Sequence, residues 1–146
     1  MSCYRNRPKE TAEALRGGYL YTGDIGELDA DGYLFIRDRK KDMVIVGGYN
    51  VYPREVDEVL YTHPAIKEAA STGAPDRYYG ETVHAFVVLN EGARAGSDEL
   101  IEHCRRLLPR FKVPRTVVFT EIPKTSTGKI QKHVLRERSR STAAIE

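Results

Sequence analysis

Cysteine is scarce in this chain, and the two present sit far apart, Cys3 near one end and Cys104 within a helical pattern. A disulfide framework, the usual staple of small secreted domains, is therefore not expected. Long apolar runs are also missing. No stretch approaches the roughly 18 to 20 apolar residues needed to cross a bilayer, and the first residues carry no secretion-signal segment, so the chain is expected in the cytoplasm with no integral membrane segment. Charge of one sign is lacking as well: 23 Lys and Arg against 21 Asp and Glu leave +2, too little to point to nucleic acid or an acidic membrane surface. His63, His84, His103 and His133 show no paired ligand spacing, and no metal site is assigned. No internal repeat or low-complexity tract appears, apart from a Ser/Arg/Ala tail after Arg138 that is expected to fray.

What remains is a 146-residue chain with 40% apolar and 30% charged residues. That balance suits one soluble domain, or a smaller domain carrying a piece of another. A weak helical stretch at 10–15 is stopped by Gly17 and Gly18. Strand patterns at 19–21, 25–28 and 33–36 follow, the last two flanking an Asp31-Gly32 turn. Residues 37–42 are six consecutive charges, read as a solvated connection and the place of a domain boundary. Beyond it come a strand at 43–46, a glycine turn at Gly47 and Gly48, and a helix opened by Pro53 with Val56, Val59 and Leu60 on one face. Strands at 66–72 and 83–89 flank a connection at 73–81. Ser97 reads as the cap of a helix ended by Pro109; residues 116–119 form a β-branched strand, and Ile130, Val134 and Leu135 mark a final short helix. The expected fold is α+β: a small three-stranded antiparallel sheet (67–72, 83–89, 116–120), flanking helices at 53–62 and 98–108, and a projecting two-stranded hairpin at 43–52.

The chemistry concentrates at 123–129, PKTSTGK, where a hydroxyl-rich turn and a flexible glycine precede an isolated lysine. The phosphate loop G-x-x-x-x-G-K-S/T is excluded, because Pro123 occupies the first glycine position and Ile130 follows the lysine. Two readings stay open on these residues alone: a surface turn with a solvated lysine, or a turn that projects Lys129 toward a phosphate.

Four segments in order, Tyr21-Thr22-Gly23-Asp24, residues 38–45, GGYNVYPREV at 47–56 and 123–129, resemble adenylate-forming enzymes over nearly the whole chain, and acyl-CoA synthetases most. Such enzymes join a carboxylate to ATP as an acyl adenylate, then pass the acyl group to a thiol, usually coenzyme A. The resemblance implies that Lys129 is catalytic and contacts ATP, and that Asp24 and Arg39 bind the AMP ribose. It further implies that Lys41 is the hinge, and that Gly48, Tyr79, Phe111 and Lys112 meet coenzyme A, although Val113 stands where some relatives have arginine. On this reading residues 1–38 end a large AMP-binding domain and 39–146 form a small mobile domain. The expected partners are then the rest of that large domain, a fatty or other carboxylic acid and coenzyme A. ATP with Mg2+ and coenzyme A are substrates of the full-length enzyme, with none bound tightly by this chain, which is expected to be inactive alone. The strands at 19–36, lacking a parent sheet, should be disordered or pair with a second copy as a dimer. The alternatives are a free-standing module that holds coenzyme A or a carrier protein without catalysis, and a luciferase-like oxygenase.

Overall fold

The computed structural model describes residues 3–143 and divides the chain after Lys41 into two units, Met1–Lys41 and Asp42–Glu146. In the first unit, α1 (Pro8–Ala14) begins at a proline whose fixed φ and missing N–H suit a first helical turn. Gly17 and Gly18 do more than stop it: they join β1 (Leu15–Arg16) to β2 (Tyr19–Leu20) as a tight antiparallel pair. β3 (Asp24–Leu28) and β4 (Leu34–Arg39) form a second hairpin. Its turn is set by Asp29, whose carboxylate accepts the N–H groups of Asp31 at 3.0 Å and Tyr33 at 2.8 Å.

One expectation is corrected here. The charged run is not wholly a solvated connection, because β4 continues to Arg39 and the ladder turns Asp38 inward opposite Ile25, leaving it 9% exposed. Its carboxylate accepts the Arg39 N–H at 2.7 Å, which offsets part of the cost of burying the charge. The strands at 19–36 pair in two hairpins, β1 with β2 and β3 with β4, while Leu28, Tyr33, Leu34 and Phe35 stay exposed.

The second unit is built on one sheet. β5 (Val44–Val46) and β6 (Tyr49–Val51) form the glycine hairpin, followed by α2 (Pro53–Tyr61), with Val56 and Leu60 fully buried one turn apart. β7 (Ile66–Asp76) and β8 (Gly80–Leu89) run longer than the apolar pattern suggests, pairing through Pro75↔Glu81 and Asp76↔Gly80. Pro75 is accommodated because β7 lies at the sheet edge, where a missing N–H breaks no ladder. Against expectation, the hairpin does not project separately but joins the sheet at Val46↔Gly80, giving five strands in place of three with the order β6-β5-β8-β7, and Val44 and Val51 are buried in the core. β9 (Thr116–Phe119) also pairs with β8, but parallel to it, against the expected antiparallel direction. The cause is the long crossover through α3 (Ser97–Leu107), which returns the chain to the same end of the sheet.

The cap of α3 is Gly96 and not Ser97: the Glu99 carboxylate reaches back to accept the Gly96 N–H at 3.3 Å, drawing Ser97 into the first turn. The tail expected to fray is helical as far as Ala143 in α4 (Lys132–Ala143), since Ser139 is fully buried and shares a 2.8 Å hydrogen bond with Thr72 of β7; positions 144–146 lie outside the described residues. Residues alternate across the sheet. Ala69, Val83, Ala85 and Val87 meet α2 and α3 on one face, while Ala70 and Phe86 meet Leu135 of α4 and Ile122 on the other. The α+β class therefore holds, with helices on both faces. Cys104 is sealed in the first of these clusters, where burial pushes its thiol up to about 11, so it behaves as a small apolar residue.

Candidate functional site

The loop after β9 is a closed turn that aims one side chain outward. Thr125 N–H donates to the Lys129 carbonyl at 2.8 Å, Gly128 N–H to the Thr125 carbonyl at 2.9 Å, and Lys129 N–H to Thr125 Oγ1 at 3.1 Å. Gly128 takes φ +81°, a left-handed conformation that glycine adopts without strain and that completes the reversal. The stem is held from outside by Lys124, whose ammonium lies 2.6 Å from Glu68, and by Gln131, whose amide donates to the Lys124 carbonyl at 3.1 Å. Ile130 packs against the Phe86 cluster. The backbone of this turn is fastened, whereas the Lys129 side chain is exposed and has no ion-pair partner among the described residues.

The other sheet face carries a different feature. Gly47 and Gly48, with φ of +56° and +88°, make the two-residue loop of the β5–β6 hairpin, a conformation that side-chain-bearing residues reach only with strain. A Cβ on Gly48 would meet nothing within 4 Å, so packing in this chain does not demand glycine there. Beside the hairpin, Pro109 ends α3 and a 3-10 turn, Arg110–Lys112, brings Phe111 onto Tyr49, with ring centroids 4.7 Å apart and planes 24° from parallel. The result is an open cleft of about 690 Å3 lined by Val46, Gly47, Tyr49, Tyr79, Phe111, Arg105, Arg110 and Arg115 among others. Two of the guanidiniums are engaged, Arg105 by Glu102 at 2.7 Å and Arg115 by Asp76 at 2.9 Å. Arg110 has no such partner among the described residues. Lys112 points away to a half-buried ion pair with Glu55 of α2 and would have to leave it to meet a ligand.

Asp24 and Arg39 are brought together in the first unit because they are ladder partners at the open end of the β3–β4 hairpin. Arg39 Nε donates to Asp24 Oδ1 at 3.1 Å, and that bond, with a hydrogen bond from Thr22, holds the Asp24 carboxyl below its ordinary 3.8. A depressed carboxylate supports folding above its ordinary value and loses that support only as pH falls below it, so the pair is intact throughout the neutral range. Thr22, Gly23, Arg39, Lys40 and Lys41 line an adjoining hollow.

Sequence reasoning thus named Lys129, Gly48, Tyr79, Phe111, Asp24 and Arg39 individually, and the structure shows a projecting lysine, a cleft lined by Tyr79, Phe111 and Gly47, the neighbour of Gly48, and a carboxylate–guanidinium pair. It missed Arg105, Arg110 and Arg115. Their only sequence signal is a density of arginine around the Pro109 helix break, and the turn geometry is what converges them.

The family model of the AMP-binding enzyme C-terminal domain matches residues 55–129. The long-chain-fatty-acid–CoA ligase of Bacillus subtilis is 53% identical over 138 residues, covering 94% of this chain and 25% of that protein. The long-chain-fatty-acid–CoA ligase FadD13 of Mycobacterium tuberculosis is 46% identical over 140 residues, 95% of this chain and 28% of its own length. The chain therefore spans about a quarter of the length of these curated relatives. Among solved structures, ATP-bound MatB from Rhodopseudomonas palustris superimposes with a TM-score of 0.89 at 36% identity, covering 97% of this chain and 28% of that one.

Proposed function

The chain belongs to the AMP-binding enzyme C-terminal domain family, and we propose that it works as the C-terminal part of an ATP-dependent acyl-CoA ligase, its residues 39–146 being a lobe that serves two half-reactions in turn. In the first, a carboxylate attacks the α-phosphate of Mg-ATP and pyrophosphate leaves. Two anions must approach, and the Lys129 ammonium offsets their repulsion as charge develops. Asp24 accepts hydrogen bonds from the ribose hydroxyls, a role suited to an acceptor-only group, and Arg39 reaches the same ribose with its planar fork. In the second, the lobe turns about Lys41, Lys129 withdraws, and the Gly47-Gly48 hairpin meets the acyl adenylate. The bare Gly48 leaves room for the pantetheine thiol of coenzyme A. Tyr79 and Phe111 offer aromatic faces to the adenine, and Arg110, with Lys112 if it is released from Glu55, offers charge to the phosphates.

The observation that carries this reading is the placement of the free lysine and the glycine-aromatic cleft against opposite faces of a single sheet. A rigid lobe so built presents one tool or the other by turning, without refolding. A large domain, proposed to end in residues 1–38, would supply the acyl pocket and the remaining phosphate contacts. The described residues include no helix long and apolar enough to cross a membrane.

Two measurements test the proposal. The pure chain, given ATP, Mg2+, coenzyme A and a fatty acid, should form no acyl-CoA, whereas the same chain joined to a large AMP-binding domain should do so; turnover by the chain alone would overturn the division of labour. Phe111→Ala in the joined protein should weaken coenzyme A about fivefold, mostly as a higher KM, since an aromatic stacking contact contributes on the order of 1 kcal/mol. An unchanged coenzyme A KM would remove the cleft from the reading.

A further inference from the structure

The connection between β7 and β8 touches the glycine hairpin along the side of β5 that faces β8. β5 lies between β6 and β8 but meets β8 only at the Val46↔Gly80 bridge, so the N–H groups on that side depend on few acceptors. They are the groups of Ile45 and, just past the strand, of Gly47, whose bond belongs to that bridge. Ile45 N–H donates to Glu81 Oε2 at 2.8 Å, and Gly47 N–H donates to the Tyr79 carbonyl at 2.9 Å. Tyr79 is itself held by Asp76, whose Oδ1 accepts the N–H groups of Tyr78 at 2.8 Å and Tyr79 at 2.9 Å, while Arg115 takes its other oxygen at 2.9 Å. The Asp76 side chain is only 10% exposed, and the Tyr79 ring lies in contact range of where a Gly47 Cβ would stand. Arg115, Asp76, Tyr79 and Gly47 form one hydrogen-bonded series, and Glu81 grips the same strand two residues earlier.

We propose that Asp76 and Glu81 are positioning residues for the thioester-forming half-reaction: neither touches a reactant, and together they fix the orientation of the Gly47-Gly48 turn. This rests on the hairpin role proposed above. The backbone bonds from Tyr79 and Tyr78, with Arg115 behind them, also hold the Asp76 carboxyl below its ordinary 3.8, so the brace remains an ionised acceptor at neutral pH. Glu81 spans the remaining distance to β5 past Gly73, two residues along β7 from its ladder partner Pro75, where the missing side chain leaves room: a Cβ there would stand 3.1 Å from Glu81 Oε1.

Amide hydrogen exchange on the 146-residue chain tests the brace directly. Asp76→Ala should speed exchange at Gly47 about tenfold or more, the effect expected of losing a hydrogen bond to a charged acceptor, with Ala85 in the sheet centre as the unchanged reference. Asp76→Asn, which keeps an acceptor oxygen, should restore most of the protection. Glu81→Ala should act on Ile45 in the same way. If Asp76→Ala disturbs Ala85 as well, Arg115→Ala, which removes an exposed side chain, carries the test through a smaller rise at Gly47. Unchanged exchange at Gly47 overturns the proposal. In the joined ligase, Asp76→Ala should lower kcat for thioester formation from supplied acyl adenylate about tenfold while adenylation keeps its rate; equal losses in both halves, or none, overturn the positioning role. A joined protein with no ligase activity before any substitution would count against the function proposed above, and exchange at Gly47 and Ile45 would still decide whether the two carboxylates hold the hairpin.

Discussion

Lys129→Ala, made in a ligase that carries this chain, is expected to slow acyl-adenylate formation about a thousandfold and to leave thioester formation from supplied acyl adenylate within about twofold. The magnitude follows from Coulomb's law: one cation about 4 Å from the developing charge, at an effective dielectric near 20, contributes on the order of 4 kcal/mol, and each 1.4 kcal/mol is a factor of ten. The selectivity follows from the turn. The Lys129 side chain is exposed and engages no ion-pair partner among the described residues, and the hydrogen bonds that shape the loop come from its backbone N–H and carbonyl, which alanine retains. The variant should therefore melt within a degree or two of the parent, separating catalysis from folding. Lys129→Arg should recover only part of the rate, because a planar fork on a longer stem does not place its charge where a compact ammonium does. Pyrophosphate exchange reports the first half-reaction and thioester release the second. A variant that loses both halves equally would mean that position 129 serves the lobe's structure, and one that loses neither would remove it from the chemistry.

Much of this site is legible in the chain because its parts are local. Gly47 and Gly48 announce their turn, since a two-residue loop with both φ positive admits few other residues, and Lys129 stands out as a lone cation behind a glycine. Pairings that depend on distant backbone are not legible in that way. The family resemblance makes Lys112 a coenzyme A contact, yet Glu55, 57 positions earlier, engages it after the 3-10 turn that follows Pro109. The cleft arginines converge for the same reason. Asp38 reads as solvated within a run of charges, and its burial follows from the β3–β4 register, which period-two reasoning cannot assign when every residue of the run is polar. The direction of β9 depends on which end of the sheet α3 returns to, and the residues of β9 are equally suited to either direction. Gly96 outcompetes Ser97 as cap because Glu99 is spaced to reach the former.

Phe86→Ala should produce the largest loss of stability of any single truncation in the lobe, about 3 to 5 kcal/mol. Phe86 is 1% exposed and heads the fully buried side chains in volume. It also stands on the thinner side of the sheet, where its cluster has only Ala70, Ile122 and Leu135 as buried companions. Ala70 and Ile122 are fixed on strands or their ends, so the cavity can close only by movement of α4, which is tethered through Ser139 to Thr72 and through Arg136 to Asp42 at 2.8 Å. Held in place, α4 cannot collapse onto the space, and the cost stays near the upper part of the range. Domains of this size are stable by only about 5 to 15 kcal/mol, so a large fraction of the native population margin disappears. The urea midpoint should fall by roughly 1.5 to 2.5 M for a slope near 2 kcal/mol/M. The same side chain supports Ile130 at the base of the Lys129 turn, so in a joined ligase below its melting point Phe86→Ala should impair adenylation more than thioester formation. Leu100→Ala is the control: Leu100 is equally buried but belongs to the cluster under the cleft, and it should weaken the lobe without that bias. A Phe86→Ala midpoint within about 0.5 M of the parent would show that α4 does close the gap, and that the turn carrying Lys129 is anchored by its own hydrogen bonds alone.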